Sequence, residues 1–349
     1  MRFSTALLSI LDSERIITGS ERMKERPISV LVNALRDLGA TIDYIENENY
    51  PPLRIRGKAN MRGGDLMLPG NVSSQYVSAL LMIGPMLQNG LTLKLTDNII
   101  SKPYIDLTIH LMSDYGAVVG WKSDSVIRVE PKKYEYRNFF IESDWSASSY
   151  WYSMVALSDD EDAEIVLPGL YANSYQGDSK VVDIFECIGV GTEFFYENNS
   201  DGTQNECIRI YKNKNACDRL EYDFISQPDL AQTFVVCCCM LGIPFRFTGL
   251  QSLKIKETDR INALRTELLK MGFVVNEEDG SVLYWNGEQT EVQPDFSIET
   301  YKDHRMAMAF APCALRYDRI IINDPGVVSK SYPSFWKDLK KVGFVINEF

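Results

Sequence analysis

The chain has 349 residues, of which 45% are hydrophobic and 24% are charged, and it carries a formal net charge of −12. These values are ordinary for a globular protein, and the length predicts two domains. The negative charge disfavours nucleic acid and anionic membrane surfaces as partners, so any local cluster of basic residues calls for an explanation. No apolar run approaches the ~18 residues of a membrane-spanning helix, so none is predicted.

The seven cysteines show no disulfide or metal-binding pattern. Their number is odd, three are consecutive (Cys237, Cys238 and Cys239), and no pair has metal-ligand spacing. They are interpreted as reduced thiols, which predicts a cytoplasmic protein without a metal site. Residues 1–11 hold one Arg and a short apolar run, but no small-residue cleavage site follows. A helix is therefore predicted there instead of a signal peptide.

One pattern recurs along the chain: an amphipathic helix ends at a glycine, and a short β-type run follows. The glycines are separated by 77, 73, 83 and 71 residues; they are Gly39, Gly116, Gly189, Gly272 and Gly343. Glycine just after the last helical turn commonly ends a helix in a left-handed conformation. Five such glycines at near-constant spacing predict an internal repeat.

A second kind of helix precedes each of these glycines. It is apolar on nearly all sides, which predicts burial, and it is expected at 1–11, 76–87, 150–157, 231–241 and 306–315. Polar and charged residues stand at the entrances to these helices. If the repeats are arranged symmetrically, the helix N-termini converge and form a centre that attracts anions. Alternating runs such as 53–56 and 91–95 predict strands, so the chain is α/β.

The segment Lys254–Arg260 packs five charges into seven residues, ahead of a helix with apolar residues at Ile261 and Leu264. Cations at a helix N-terminus suit an anion, and Glu257 among them would be held ionised. Taken alone, the cluster is more simply explained as a solvated helix cap with surface ion pairs.

The motifs are specific enough to indicate a family. They include Gly70-Asn-Val-Ser-Ser-Gln75, Ser101-Lys-Pro-Tyr104, Asn173-Ser-Tyr-Gln-Gly-Asp178, Lys256-Glu-Thr-Asp-Arg260 and Asp303-His-Arg-Met306. In this order they resemble the 5-enolpyruvylshikimate-3-phosphate synthase family over essentially the whole chain. The resemblance implies an α/β fold of two domains, each built from repeated βαβαββ units with helices buried inside sheets. It places the boundary near Gln176, which gives an incomplete N-terminal domain at 1–176, on the shikimate 3-phosphate side, and a C-terminal domain at 177–349.

The resemblance also implies a reaction. The family transfers the enolpyruvyl group of phosphoenolpyruvate to the 5-hydroxyl of shikimate 3-phosphate and releases phosphate, in the shikimate pathway, without metal or cofactor. The expected partners are these two small molecules alone, with no nucleic acid or membrane, and the expected state is a monomer.

Site residues follow by matching motifs. Asp229 resembles the general base near the 5-hydroxyl, Glu257 resembles the carboxylate that shuttles the proton at the phosphoenolpyruvate carbon, and Lys256 lies beside it in the motif. The residues that resemble the phosphoenolpyruvate site are Arg2, Arg26, Gln75, Arg260, His304, Arg305 and Lys330. Those that resemble the shikimate 3-phosphate site are Ser73, Ser74, Gln75, Ser146, Tyr150, Asp229 and Lys256.

Three departures from the family pattern matter. Ala147 replaces a serine, so part of the phosphate contact is expected from Ser146 or elsewhere, and Ser252 replaces an asparagine. The match starts at Met1-Arg2, which resembles the end of a family motif, so an N-terminally truncated and inactive chain is expected. An enzyme that acts on a UDP-sugar is the less supported alternative, because no reactive-cysteine loop is evident. An inactive or ligand-binding remnant of the same fold is the other alternative.

Overall fold

The computed structural model describes residues 1–198 and 204–347. The chain forms two compact units, Met1–Phe140 and Ile141–Phe349, each with its own hydrophobic core. The packing therefore groups residues 141–176 with the second unit, whereas the sequence analysis placed them in the first domain. The physical reason is a buried helix at Trp145–Leu157, which packs in the second core.

The first unit combines helices and strands. Its helices are α1 (Arg2–Ser9), α2 (Glu21–Lys24), α3 (Ser29–Asp37), α4 (Ser74–Ile83) and α5 (Lys102–Asp114). Its strands are β1 (Glu14–Ile17), β2 (Thr41–Tyr44), β3 (Leu53–Arg56), β4 (Gly64–Pro69), β5 (Leu91–Thr96), β6 (Val119–Ser123) and β7 (Val126–Val129).

The second unit also combines helices and strands. Its helices are α6 (Trp145–Leu157), α7 (Val181–Glu186), α8 (Ala231–Leu241), α9 (Arg260–Lys270), α10 (His304–Phe310) and α11 (Phe335–Lys341). Its strands are β8 (Glu164–Pro168), β9 (Ile188–Asn198), β10 (Gln204–Ala216), β11 (Leu220–Asp223), β12 (Phe245–Thr248), β13 (Asn276–Glu278), β14 (Val282–Trp285), β15 (Ser297–Ile298) and β16 (Ile321–Ile322). Short 3-10 turns lie at Gly84–Met86, Gly177–Lys180, Gln251–Ile255, Ala311–Leu315 and Pro325–Lys330.

Two stretches of the chain repeat one topology in full. The order β4-α4-β5-α5-β6-β7 in the first unit matches β11-α8-β12-α9-β13-β14 in the second. Both sheets place their strands in the spatial order first, second, fourth, third. In both, the first two strands are parallel and the other neighbours are antiparallel. These are βαβαββ units, so the predicted α/β repeat is confirmed at the level of topology.

The other three repeats contain part of this unit. Strands β1, β2 and β3 form the sheet β1-β3-β2, and strands β8, β9 and β10 form β8-β10-β9. Both sheets are antiparallel and follow a buried or partly buried helix, α1 or α6. Strands β15 and β16 pair in parallel around α10, as the first two strands of a complete unit do.

The five repeat glycines all have positive φ angles, between 82° and 101°. Four of them directly follow the last turn of α3, α5, α9 or α11, as predicted. Gly189 lies one residue further on, inside β9. A residue with a Cβ atom is strained in this conformation, which explains why the sequence holds glycine at each helix exit.

The predicted apolar helices are buried in four cases out of five. In α6, every residue except Ala147 is buried; most residues of α8 and α10 are buried, and in α4 residues 76–81 and Ile83 are buried, whereas Met82 is 45% exposed. Helix α1 differs, because Phe3 is 46% exposed and Leu7 is 52% exposed. The prediction of burial on all sides is therefore wrong for α1.

Two further features concern the whole described chain. Within residues 1–198 and 204–347, each helix is too short or too polar to span a bilayer. All seven cysteines are free thiols, and the five buried ones are Cys207, Cys237, Cys238, Cys239 and Cys313.

Substitution of the repeat glycines tests the role of these helix exits. A Cβ atom on Gly272 would lie 2.8 Å from the carbonyl oxygen of Thr290, whereas a Cβ atom on Gly343 would meet nothing within 4 Å. Gly343→Ala should lower the free energy of unfolding by roughly 1–2 kcal/mol through its positive φ alone. Gly272→Ala should cost at least about 1 kcal/mol more, because the carbonyl must move. Urea unfolding followed by circular dichroism measures both; equal losses would contradict the steric argument.

Candidate active site

The second unit brings most of the predicted site residues together near the N-termini of three helices. Asp229 lies just before α8, and Arg260 is the first residue of α9. His304 and Arg305 begin α10. The first turn of a helix leaves backbone N–H groups unpaired, so these helix ends add positive potential to the cationic side chains. The repeated topology explains how residues far apart in sequence occupy equivalent helix ends.

Arg260 lies at the centre of this group. Its side chain is 1% exposed and donates hydrogen bonds to three carboxylates. Nε lies 2.7 Å from Asp303 Oδ2, Nη1 lies 3.0 Å from Asp229 Oδ1, and Nη2 lies 3.0 Å from Glu257 Oε2. Burial by itself would lower the pKa of Arg260, but Asp303 and Asp229 raise it above its ordinary value. Arg260 is therefore not part of a solvated helix cap with surface ion pairs. It is a buried cation that pairs with three carboxylates.

Asp229 is shared between several cations. Arg305 Nη2 lies 2.9 Å from its Oδ2 atom, and Lys256 Nζ lies 3.6 Å from its Oδ1 atom. Burial would raise the pKa of Asp229, but Arg305, Lys256 and Arg260 together hold that pKa well below its usual range. The carboxylate is therefore ionised at neutral pH and able to accept a proton, although the cations around it make it a weak base.

Glu257 forms the second carboxylate of the group. It accepts from Arg260 and also contacts the Lys330 ammonium, which lies at the end of the 3-10 turn Pro325–Lys330. Burial opposes its ionisation, yet Arg260 and Lys330 lower the pKa of Glu257 to about 2. Two ionised carboxylates thus share one buried guanidinium, and each also contacts a second, less buried cation.

The group carries a small positive excess. Its cations are Lys256, Arg260, Arg305 and Lys330, and its carboxylates are Asp229, Glu257 and Asp303. Four positive and three negative charges leave one net positive charge, to which the helix N-termini add. An anionic ligand could take the place of a carboxylate as partner of Arg305 or Lys330. Within the described residues, no three His, Cys, Asp or Glu side chains are grouped to hold a metal ion.

Ser146 and Tyr150 lie in the first two turns of α6 in the same unit. Arg305 Nη1 lies 3.3 Å from the Tyr150 hydroxyl, so Tyr150 belongs to the network. Burial raises the pKa of Tyr150 to about 12, against the opposing effect of Arg305, so the phenol stays neutral and can donate. The Ser146 hydroxyl contacts the buried carboxylate of Asp178 instead, and its backbone N–H is capped by Asp144. The structure therefore gives Ser146 a structural partner, and its role toward a phosphate stays a prediction.

His304 is buried beside the network, with its side chain 7% exposed. Burial, and next the charge of Arg305, lower the pKa of His304 to about 4, so it is neutral at pH 7. Among the described residues, its Nδ1 atom has no hydrogen-bond partner. A neutral imidazole with a buried, unsatisfied nitrogen is suited to bind a polar group of a ligand.

Sequence analysis missed one member of the network. Asp303 is 0% exposed, pairs with Arg260, and caps α10 by accepting from the Arg305 backbone N–H at 3.0 Å. Its position directly before His304, where a helix N-cap is expected, was the available signal.

The first unit holds the other predicted residues, which form separate groups. Arg2 is 8% exposed; its guanidinium lies 5.9 Å from the Tyr76 ring centre, and Nη1 lies 3.8 Å from Met23 Sδ. The Tyr76 hydroxyl donates to the Pro27 carbonyl oxygen at 2.6 Å. These contacts bring Arg2 and α4 to the segment that carries Arg26, which is partly buried.

The predicted phosphate-binding residues Ser73, Ser74 and Gln75 lie at the N-terminus of α4. Ser73 and Gln75 are exposed, and the Ser73 side chain makes no capping hydrogen bond in the described structure. The next loop reaches this turn, because Ile100 N donates to the Gly70 carbonyl oxygen at 3.2 Å.

That loop ends at Ser101, the residue before α5, which was not among the predicted site residues. Ser101 is 8% exposed and has a φ of 55°, which is unusual for a non-glycine residue. A buried polar side chain held in a strained conformation at a helix start is often functional.

Comparison with known proteins decides the family. The family model described as EPSP synthase (3-phosphoshikimate 1-carboxyvinyltransferase) matches residues 1–339. The chain belongs to the EPSP synthase family. A 3-phosphoshikimate 1-carboxyvinyltransferase from Bacteroides fragilis is 55% identical over 346 residues, which are 99% of this chain and 82% of that relative. One from Vibrio atlanticus is 36% identical and covers 97% of this chain and 76% of its own length.

Solved structures agree on the fold of this family member. EPSP synthase from Acinetobacter baumannii superimposes with a TM-score of 0.73 at 22% identity, over 99% of this chain and 77% of that one. The enolpyruvyl transferase NikO from Streptomyces tendae gives a TM-score of 0.68 at 15% identity, over 97% and 75%. The predicted enolpyruvyl transferase fold is confirmed, and the protein belongs to a transferase family of the shikimate pathway. None of these matches supports the expectation that the chain is inactive.

The buried neutral histidine predicts a pH effect on stability. The pKa of His304 is about 4 in the folded chain and near 6.5 in the unfolded chain. Between pH 4 and pH 6.5, therefore, only the unfolded state binds a proton at this imidazole. Stability should therefore fall as the pH drops from 6.5, by on the order of 3 kcal/mol at pH 4. The folded pKa values of Asp229 and Glu257 are lowered, so their ionised forms stabilise the folded state. This contribution to the free energy of unfolding is lost only below about pH 4.5, where the unfolded carboxyl groups take up protons.

The comparison uses His304→Gln, which cannot take up a proton. Urea unfolding at pH 7.5, 6 and 5 should give a flatter pH dependence for the variant than for the wild type. Identical pH dependence in the two proteins would show that His304 is not held neutral by the fold.

Proposed function

We propose that this chain transfers the enolpyruvyl group of phosphoenolpyruvate to the 5-hydroxyl of shikimate 3-phosphate and releases phosphate. Membership of the EPSP synthase family supports the reaction class. The observation that carries the proposal for this chain is the pair of ionised carboxylates, Asp229 and Glu257, joined by the buried guanidinium of Arg260. Such a pair can divide the roles of base and acid.

The reaction needs two proton movements. The 5-hydroxyl oxygen bonds to C2 of phosphoenolpyruvate while its proton goes to Asp229. Glu257, which takes up a proton from solvent when the bound substrates raise its pKa, gives that proton to C3. The tetrahedral intermediate then loses phosphate from C2 as Glu257 takes a proton back from the new methyl group, and Asp229 gives the hydroxyl proton to the leaving phosphate. Lys256, 3.6 Å from Asp229, stabilises the carboxylate before the proton arrives.

Binding of the anionic substrates tunes these carboxylates. In the ligand-free arrangement, Arg305 and Lys330 hold the pKa values of Asp229 and Glu257 low. When they pair with the phosphate and carboxylate of phosphoenolpyruvate, the added negative charge raises both pKa values toward the range useful for proton transfer. Arg260 stays in place between the two carboxylates. His304, which is neutral and whose Nδ1 has no hydrogen-bond partner among the described residues, binds on the phosphoenolpyruvate side.

Residues of the first unit are assigned to the same substrates by the motifs they carry. Arg2 and Arg26 are assigned to phosphoenolpyruvate, and Ser73, Ser74 and Gln75 to the phosphate of shikimate 3-phosphate, with Gln75 reaching both. The N-terminus of α4 adds N–H donors and positive potential there. No metal or cofactor is part of this proposal, and the monomeric state and cytoplasmic location remain predictions.

Conservative substitutions in the second unit test the catalytic roles. Asp229→Asn and Glu257→Gln should each lower kcat by about 100-fold or more, since proton transfer by a positioned group contributes about 10²–10⁴-fold. Asp259→Asn is the matched control, because Asp259 is exposed and only caps α9, a role that asparagine also fills. The assay is phosphate release with both substrates. Near-normal kcat in either variant would remove that residue from the mechanism.

Absence of turnover in the wild-type chain itself would overturn the proposed function. Calorimetric titration with shikimate 3-phosphate would then decide between the two remaining alternatives. Saturable binding would indicate a ligand-binding remnant, and no binding would indicate an inactive one.

Ser73 provides a separate test in the first unit. A serine that caps a helix stabilises it by about 1 kcal/mol, but Ser73 makes no such bond in the described structure. Ser73→Ala should therefore leave the thermal midpoint within about 1 °C and raise KM for shikimate 3-phosphate about tenfold. Loss of stability without a change in KM would show that Ser73 serves the fold instead.

A further inference from the structure

Glu267 is a buried carboxylate of the second unit that lies outside the network described above. It stands on α9, two turns after Arg260, which corresponds to about 10 Å along the helix axis. It is 0% exposed. Because a buried carboxylate is tolerated only where donors satisfy it, its partners show which part of the structure it stabilises.

Three donors converge on Glu267. The hydroxyl of Tyr301 lies 2.6 Å from Oε1, and the backbone N–H of Glu299 lies 3.0 Å from Oε2. The Lys270 ammonium lies 2.7 Å from Oε2 and also donates to the Ser297 carbonyl oxygen at 3.0 Å. Lys270 belongs to α9 itself, and the other two donors belong to one short segment, residues 297–301, which Lys270 also contacts. Glu267 therefore fastens that segment to α9.

The fastened segment continues into a strained turn. Asp303 N donates to the Thr300 carbonyl oxygen at 2.8 Å, which closes a four-residue β-turn. Its two central residues, Tyr301 and Lys302, have φ angles of 54° and 58°. Turns with two positive φ angles normally use glycine or asparagine, and this one uses neither. Such a conformation persists only where the surrounding contacts enforce it.

The turn is attached to α9 on both sides. On one side, Glu267 accepts hydrogen bonds from Glu299, which precedes the turn, and from Tyr301 within it. On the other side, Arg260 donates to Asp303, the last residue of the turn. Asp303 is the N-cap of α10 and is followed directly by His304 and Arg305. The direction in which the chain leaves the turn thus decides where these two side chains lie.

We propose that Glu267 is a positioning residue, which sets the conformation of the Thr300–Asp303 turn and thereby the placement of His304 and Arg305 toward phosphoenolpyruvate. The inference rests on the proposed function, in which His304 and Arg305 bind that substrate. Glu267 acts through Glu299 and Tyr301, because its own side chain is enclosed by the protein. Its effect should therefore fall on one substrate and not on the other.

Two substitutions and a matched control test this role. Glu267→Gln keeps the shape of the side chain but replaces one acceptor oxygen by a donor. Tyr301→Phe removes only the phenol hydroxyl and leaves Glu267 its other two partners, so it tests the same contact in a milder way. The control is Glu277→Gln, since Glu277 also pairs with α9, through Arg265 at 3.3 Å, and lies in a different ion-pair cluster with Lys254.

Steady-state kinetics should separate the two substrates. KM for phosphoenolpyruvate should rise about tenfold in Glu267→Gln and about threefold in Tyr301→Phe, with KM for shikimate 3-phosphate within about twofold of wild type. The double variant should be no worse than Glu267→Gln alone, because both changes break the same contact. Glu277→Gln should match the wild type. Equal rises in both KM values, or none in either variant, would overturn the proposal.

Amide hydrogen exchange keeps the test independent of the proposed function. In Glu267→Gln and Tyr301→Phe, the amides of Asp303 and Arg305 should exchange about tenfold faster than in Glu277→Gln. If the wild-type chain shows no turnover, the proposed function fails, yet faster exchange still supports the positioning role. Unchanged exchange overturns it. If Glu267→Gln does not fold, Tyr301→Phe decides by the same two measurements.

Discussion

The second unit depends on one constraint: the guanidinium of Arg260 is buried, so its charge must be compensated inside the protein. Three carboxylates from three different parts of the chain surround it, at 2.7 to 3.0 Å. Loss of one partner of a buried pair typically costs about 3–5 kcal/mol, so each of these contacts also holds its own element in place. The interaction that stabilises the arrangement is thus the one that aligns Asp229 with Glu257.

The same arrangement explains how the site can bind anions in a chain of net charge −12. Arg305 and Lys330 are less buried than Arg260, at 11% and 47% side-chain exposure, and each pairs with a carboxylate of the network. An anionic substrate has to compete with these carboxylates for the cations. That competition favours a substrate with two anionic groups, and it links binding to the proton affinity of the proposed catalytic residues.

Several features could be predicted from the sequence because they follow local rules. The helix exits at Gly39, Gly116, Gly272 and Gly343 follow from the need for a positive φ, which glycine meets without strain. Helix and strand periods predicted repeats that each contain two helices and several strands, and the family resemblance implied their βαβαββ order. Other features were not predicted: α1 has an exposed apolar side, and residues 141–176 pack in the second unit. Both depend on which surfaces meet, which a periodic pattern does not specify.

The sequence by itself determined the family, the repeat and the identity of the charged residues, because motif spacing and hydrophobic periodicity are properties of neighbouring residues. Only the tertiary structure decided which charges are buried and which carboxylate pairs with which cation. Asp303 is 43 residues from Arg260 and Tyr301 is 34 from Glu267, yet each pair is in hydrogen-bond contact. Burial and pairing at such separations arise from packing of whole helices, and they set the pKa values on which the proposed chemistry depends.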